Sequence, residues 1–148
     1  MEYANHTIEQ IQPGDQAFVQ KTITEADILL FAAVSTDNNP AHINAAYAKQ
    51  TRFERPMAHG MLTAGLISAI LGGQLPGPGS IYVAQTLKFL APVYAGDTLL
   101  ATAEVVHVDR EKNRVKLRTT VTNQEEVEVL DGEATISPPK KRISVSQK

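Results

Sequence analysis

From Met61 to Leu71 the chain reads Met-Leu-Thr-Ala-Gly-Leu-Ile-Ser-Ala-Ile-Leu, apolar or small on every side. An amphipathic helix can lie on a surface, but a helix with no polar face has to be covered all round. The stretch stops at Gly72-Gly73, well short of the roughly 20 residues that cross a membrane, so its cover must be protein. The sequence that follows supplies such cover. After the Leu75-Pro76-Gly77-Pro78-Gly79 loop, Ser80 to Leu90 alternates, with Ile81, Val83, Gln85, Leu87 and Phe89 on one face. Turn residues at Pro92 and Gly96-Asp97 lead into a long strand over Thr98 to Asp109, and a charged hairpin leads out of it. Arg114 to Thr122 sets Val115, Leu117, Thr119 and Val121 inward, and Glu126 to Ile136 completes the run. One apolar helix followed by antiparallel strands predicts an α+β domain whose sheet curves around that helix.

Upstream, Gln16 to Ile23 reads as a strand after a Pro13-Gly14-Asp15 turn. Thr24 is placed to cap a helix, with Glu25 and Asp27 in its first turn and an apolar face of Ile28, Leu29, Phe31, Ala32 and Val34. Ile43 to Arg55 is short and mixed, a flap with a brief helix from Ala45. A length of 148 residues suits a single domain, with an ordered core over residues 10–137 and a polar tail over 138–148. The formal charge of -2 offers no basic field for nucleic acid, and the absence of Cys excludes disulfides and thiolate chemistry. The N-terminus has no basic segment followed by an apolar one, so a cytoplasmic protein that makes no membrane contact is expected.

Two polar points interrupt this apolar plan. Ser35-Thr36-Asp37-Asn38-Asn39-Pro40-Ala41-His42 follows the first helix, and Pro40 forces the backbone to bend there. A rigid bend can bring Asp37 and His42 together around a water molecule or a moving proton. Taken alone, the eight residues fit an ordinary helix-ending turn with a surface histidine better than a site. The second point is Gly60, at the start of the apolar helix, where unpaired N–H groups and the positive end of the dipole gather. Lacking a side chain, Gly60 would let a substrate oxygen reach its amide, as in an oxyanion hole. Close packing between helix and sheet would equally call for glycine there, and both readings stand. A base, an acid and an enolate-stabilising amide suit the addition of water to a double bond conjugated to a carbonyl, or its removal. Thioester hydrolysis needs similar parts.

Asp37-Asn38-Asn39-Pro40-Ala41-His42 fits the Asp-x-Asn-Pro-x-His hydratase motif, and Phe53 to Met61 resembles the segment that follows it in (R)-specific enoyl-CoA hydratases of the MaoC-like, hot-dog superfamily. Leu75 to Tyr82 and Phe89-x-x-Pro92-Val93-x-x-Gly96-Asp97 are similar as well, so the resemblance runs from Gln16 to Ile136. It is strongest to the bacterial monofunctional type that supplies (R)-3-hydroxyacyl-CoA for polyhydroxyalkanoate synthesis. The resemblance implies a hot-dog fold, an antiparallel sheet wrapped around one long buried helix, with a helical overhang carrying the motif. It also implies a homodimer, an acyl-CoA substrate and reversible hydration of trans-2-enoyl-CoA. Asp37 and His42 would then be the catalytic pair, with the roles of base and acid left open between them. The Gly60 amide would bind the thioester carbonyl, and Ser68 and Asn39 would support the site. No metal or redox cofactor is implied, CoA being part of the substrate. An acyl-CoA thioesterase of the same fold and a 3-hydroxyacyl-carrier-protein dehydratase are the alternatives. Among other polar residues, His59 suits a structural hydrogen bond, His6 and His107 have no partner in sequence, and Lys88, Arg52 or Arg55 could meet CoA phosphates.

Overall fold

The computed structural model describes residues 3–142; residues 1–2 and 143–148, including most of the expected tail, lie outside the described residues. In chain order the elements are β1 (Gln16–Thr22), α1 (Glu25–Ser35), α2 (Pro40–Ile43), α3 (Ala45–Ala48), α4 (Gly60–Gly73), β2 (Ile81–Gln85), β3 (Lys88–Phe89), β4 (Thr98–Asp109), β5 (Arg114–Thr122) and β6 (Glu128–Ser137). The strands form one six-stranded sheet in the order β1-β4-β5-β6-β2, with β3 also on β6 and every pairing antiparallel. Helix α4 lies against β1, β4 and β6. Ile67, Ile70 and Leu71 meet Leu99, Ala103, Leu117, Val121, Leu130 and Ile136 in a single core, as the alternation in β5 requires. Thr119, expected inward with its neighbours, is fully buried and accepts a hydrogen bond from Gln85 Nε2 at 2.9 Å.

Thr24 caps α1 as its sequence dictates. Its Oγ1 accepts from Asp27 N at 3.1 Å, and Asp27 Oδ2 accepts in return from Thr24 N at 2.8 Å. The expected apolar face of α1 is divided, however. Ile28 and Ala32 are buried, whereas Leu29, Leu30 and Val34 are 57%, 64% and 79% exposed. At about 100° per residue the apolar positions encircle more of α1 than one layer of the fold can cover.

Two further expectations are corrected. Helix α4 is not covered on all sides within one chain: Thr63, Leu66, Ile67, Ile70 and Leu71 face the core, but Met61, Gly65, Ser68 and Ala69 stay open. The residues on the open side are mostly small, so composition alone does not separate it from the buried side. The run from Ser80 to Leu90 is not one alternating strand but two pieces, with a bulge between Tyr82 and Ala84 and a break at Thr86. There Thr86 N donates to Glu133 O at 2.9 Å, and Glu133 N donates to Thr86 Oγ1 at 3.0 Å. A Cβ at Gly132 would stand 1.9 Å from Thr86 O, so glycine permits this approach. As one edge of the sheet, with β1 at the other, β2 leaves Ile81 66% and Val83 48% exposed.

The chain ends are also more closely held than a core limited to residues 10–137 would require. Asn5 and Ile8 are buried, and His6 N donates to Pro76 O at 2.8 Å. At the other end, Pro138 and Pro139 are buried, and Asn113 Nδ2 donates to Pro138 O at 2.8 Å, so the polar tail does not begin at Pro138.

Candidate active site

The segment between α1 and α4 is built by local hydrogen bonds that account for the motif residue by residue. Helix α1 stops at Ser35, whose Oγ donates to Phe31 O at 2.6 Å, and Thr36 follows in the left-handed region with φ 63°. A β-branched residue in that region is strained, and such strain is typically held at functional turns. Asp37 Oδ1 accepts from Asn39 N at 3.3 Å, and Asn39 Oδ1 accepts from Ala41 N at 3.0 Å. Asn39 is thus the N-cap of α2 and Pro40 its first residue, the position where a missing N–H costs nothing. One short helix in this way sets His42 at a fixed distance from Asp37.

Across the cleft, His42 Nδ1 lies 2.7 Å from Met57 O. A carbonyl only accepts, so Nδ1 carries the proton, and in the neutral ring Nε2 keeps a free lone pair. Met57 N also donates to Ala41 O at 3.2 Å, which ties the flap to α2 on both sides of the ring. His59, the N-cap of α4, is 2% exposed, and its Nε2 lies 3.0 Å from Asp37 O. The structural hydrogen bond expected of His59 is therefore present. What the pattern did not reveal is its position: the His59 and His42 rings lie 3.8 Å apart at 30°, with Phe31 4.8 Å from His59.

Asp37, His42 and Gly60 line one cavity of about 490 Å³ together with Phe31, Met57, Thr63 and Phe89. Asp37, His42 and His59 each bring a nitrogen or oxygen atom within 4.8 Å of the others. One water molecule about 2.8 Å from each of two groups spans such a gap. Two of the trio's four ring nitrogens, His42 Nδ1 and His59 Nε2, are already engaged by the carbonyls of Met57 and Asp37.

Gly60 begins α4, where the first amides have no intrahelical acceptor. A Cβ there would meet Phe89 Cε1 at 2.6 Å, so the packing reading of this glycine has a definite neighbour. Ser68 is not brought into the cavity within one chain; it is exposed on the open side of α4, in a groove with Met61, Tyr82 and Val83. Arg52 lines the cavity and stacks over Phe53 at 4.7 Å. Arg55 stacks over Tyr94 at 3.9 Å in a second cavity of about 400 Å³, whose wall includes His42. Lys88, His6 and His107 line neither cavity.

Residues 10–128 match the MaoC like domain family. The chain belongs to the MaoC-like family. This MaoC-like chain is 54% identical to an (R)-specific enoyl-CoA hydratase of Rhodospirillum rubrum, over 90% of its own length and 92% of the relative's. It is 44% identical to a 3-hydroxybutyryl-CoA dehydratase of Methylorubrum extorquens, over 90% of its own length and 84% of the relative's. Among solved structures, the unliganded R-hydratase PhaJ1 of Pseudomonas aeruginosa superposes with a TM-score of 0.91 at 44% identity, covering 100% of this chain and 95% of that one. The MaoC-like chain accordingly has the hot-dog fold, α+β, with α4 packed on the antiparallel sheet. No helix among the described residues is long and apolar enough to cross a membrane.

Proposed function

We propose that this MaoC-like chain hydrates trans-2-enoyl-CoA reversibly to (R)-3-hydroxyacyl-CoA, with Asp37 and His42 as the reacting pair. The observation that carries the reading is that a carboxylate, an imidazole held through Nδ1 by Met57 O and a helix-start glycine line one cavity. The thioester carbonyl lies against the Gly60 amide, and water sits between Asp37 and His42. His42 Nε2 takes a proton from the water as the oxygen bonds to C3. The C2–C3 π electrons move into the carbonyl, and the developing enolate oxygen is held by the amide. The imidazolium then returns its proton to C2, which regenerates neutral His42. Asp37 accepts a hydrogen bond from the water's other O–H, which stays on the oxygen as the 3-hydroxyl, and faces the transient positive charge. Asn39 acts by capping α2, and the chemistry draws on no group beyond the protein, water and the substrate's own CoA.

The active unit in this reading is a homodimer in the cytoplasm, each chain being one domain. The free β2 edge, with Ile81 and Val83, and the open side of α4, with Met61 and Ser68, present the surface that a second copy would cover. Ser68 can support a site only from that surface.

The test follows the absorbance of the conjugated enoyl thioester with Asp37→Asn and His42→Asn beside the wild type. Asn at position 42 can keep the bond to Met57 O and loses only the Nε2 base. The wild type should consume absorbance without releasing thiol and give the (R) product on chiral analysis. Each variant should lose about 10²–10⁴-fold in kcat while staying folded. Thiol released by the wild type, or full activity in either variant, would overturn the reading.

A further inference from the structure

The groups that would react are supplied by separate segments: Asp37 by the turn after α1, His42 by α2, and Gly60 by the start of α4. His59 touches all three. His59 precedes Gly60 in the chain, so it sets where that amide begins. Its Nε2 lies 3.0 Å from the main-chain oxygen of Asp37, and its ring lies 3.8 Å from that of His42. The Asp37 carbonyl accepts only, so Nε2 must carry the proton. Nδ1 is buried with no protein partner, so the bond to Asp37 alone selects the tautomer. The bond from His42 Nδ1 to Met57 O holds the imidazole in its own plane, and the His59 ring supports its face.

We propose that His59 is a positioning residue for hydration: as the neutral Nε2–H tautomer, it ties the Asp37 turn and the His42 ring to the origin of the Gly60 amide. The inference rests on the roles given above to Asp37, His42 and Gly60. At 2% exposure, His59 offers the substrate almost no surface, so its contribution falls on the chemical step rather than on binding. A misplacement of about 1 Å at reacting groups can lower a rate about 100-fold.

The variants separate the bond from the stack. His59→Gln can place an amide N–H near the Nε2 position without the ring, and His59→Phe keeps a ring without the donor. With trans-2-enoyl-CoA as substrate, His59→Phe should lose about 10- to 100-fold in kcat. Its KM should stay within about two-fold of the wild type's, since the buried His59 offers the substrate almost no surface and its loss displaces only the reacting groups. His59→Gln should recover most of that loss. Wild-type kcat in a folded His59→Phe, or a loss confined to His59→Gln, would reduce the residue to packing and overturn the proposal. Long-range ¹H–¹⁵N correlation on the wild-type protein near neutral pH reads the tautomer directly. Protonated Nε2 with bare Nδ1 is expected, and the opposite tautomer overturns the proposal whether or not His59→Phe folds. Because this spectrum needs no turnover, a wild type inactive on enoyl-CoA would sink the hydratase reading and leave the positioning of the turn to be decided by the tautomer.

Discussion

Gly60→Ala separates the two reasons for a glycine at the start of α4. The added Cβ would lie 2.6 Å from Phe89 Cε1 and 2.8 Å from Cδ1, against the 3.5 Å or more of a normal carbon contact, so the ring must retreat by about 1 Å. Phe89 is 53% exposed on the short strand β3, which leaves it room to turn. Overpacking in a tight interior typically costs about 1–3 kcal/mol. Replacing a helical Gly by Ala returns about 0.5–1 kcal/mol, so the expected loss of stability is about 1 kcal/mol or less. The effect on catalysis is of another size. The methyl group occupies the approach to the amide, and losing one oxyanion donor lowers kcat about 10²–10³-fold, or about 2.7–4 kcal/mol. Urea unfolding and enoyl-CoA kinetics on Gly60→Ala should therefore disagree by several kcal/mol. The double variant Gly60→Ala with Phe89→Leu relieves the contact, so it should restore stability without restoring kcat. Wild-type turnover in Gly60→Ala, or recovery of turnover in the double variant, would show that Gly60 serves packing alone and refute its role as an oxyanion donor.

Gly132→Ala tests a close approach with no flexible side chain to absorb it. The new Cβ would stand 1.9 Å from Thr86 O, so β6 and the break after β2 must separate, losing the paired Thr86–Glu133 bonds. A destabilisation of about 3 kcal/mol is expected in urea unfolding, and an unchanged midpoint would contradict it. A pH-dependent difference is expected at the start of α1. The Thr24 backbone amide, followed by Lys21 and the Thr24 hydroxyl, holds the Asp27 carboxyl below the ordinary aspartate value of 3.8. A lowered folded value means stability that is fully present above the unfolded value and is lost as pH falls through the folded one. Asp27→Asn should thus be less stable than the wild type at neutral pH and converge on it as pH falls from the ordinary aspartate value of 3.8 through the lowered folded one, which thermal unfolding across pH would show.

The elements legible in sequence are those whose signal is local and one-sided. The alternation of Val115, Leu117, Thr119 and Val121 gave β5 with the correct inward face, and Thr24 with Asp27 gave the start of α1. The motif gave a bend at Pro40, and the structure adds that Pro40 opens α2 rather than merely ending α1. Ser80 to Leu90 failed because its break is caused from outside: nothing within the segment shows that Gly132, on another strand, will admit Thr86 O so closely. His59 was read correctly as a hydrogen-bonding residue, but its stack on His42 depends on the flap that returns Met57 to α2. Adjacency to Gly60 was the one signal in sequence that could have pointed to it.

The uncovered side of α4 follows from a different limit of sequence patterning. Hydrophobic periodicity marks a surface that leaves water, but it does not say whether the cover comes from the same chain or another copy. The apolar run from Met61 to Leu71 fits burial all round, yet the chain covers only the side with Leu66, Ile67, Ile70 and Leu71. The remaining side is made of Met61, which is 56% exposed, and of Gly65, Ser68 and Ala69, small residues that allow another backbone to come close. Beside it runs β2, an edge strand with free backbone groups and exposed Ile81 and Val83. A charge or proline on that edge would guard a monomer against pairing, and β2, Ile-Tyr-Val-Ala-Gln, contains neither. Helix side and strand edge lie next to each other, so in the homodimer proposed above one second copy would cover both, and Ser68 lies on that surface.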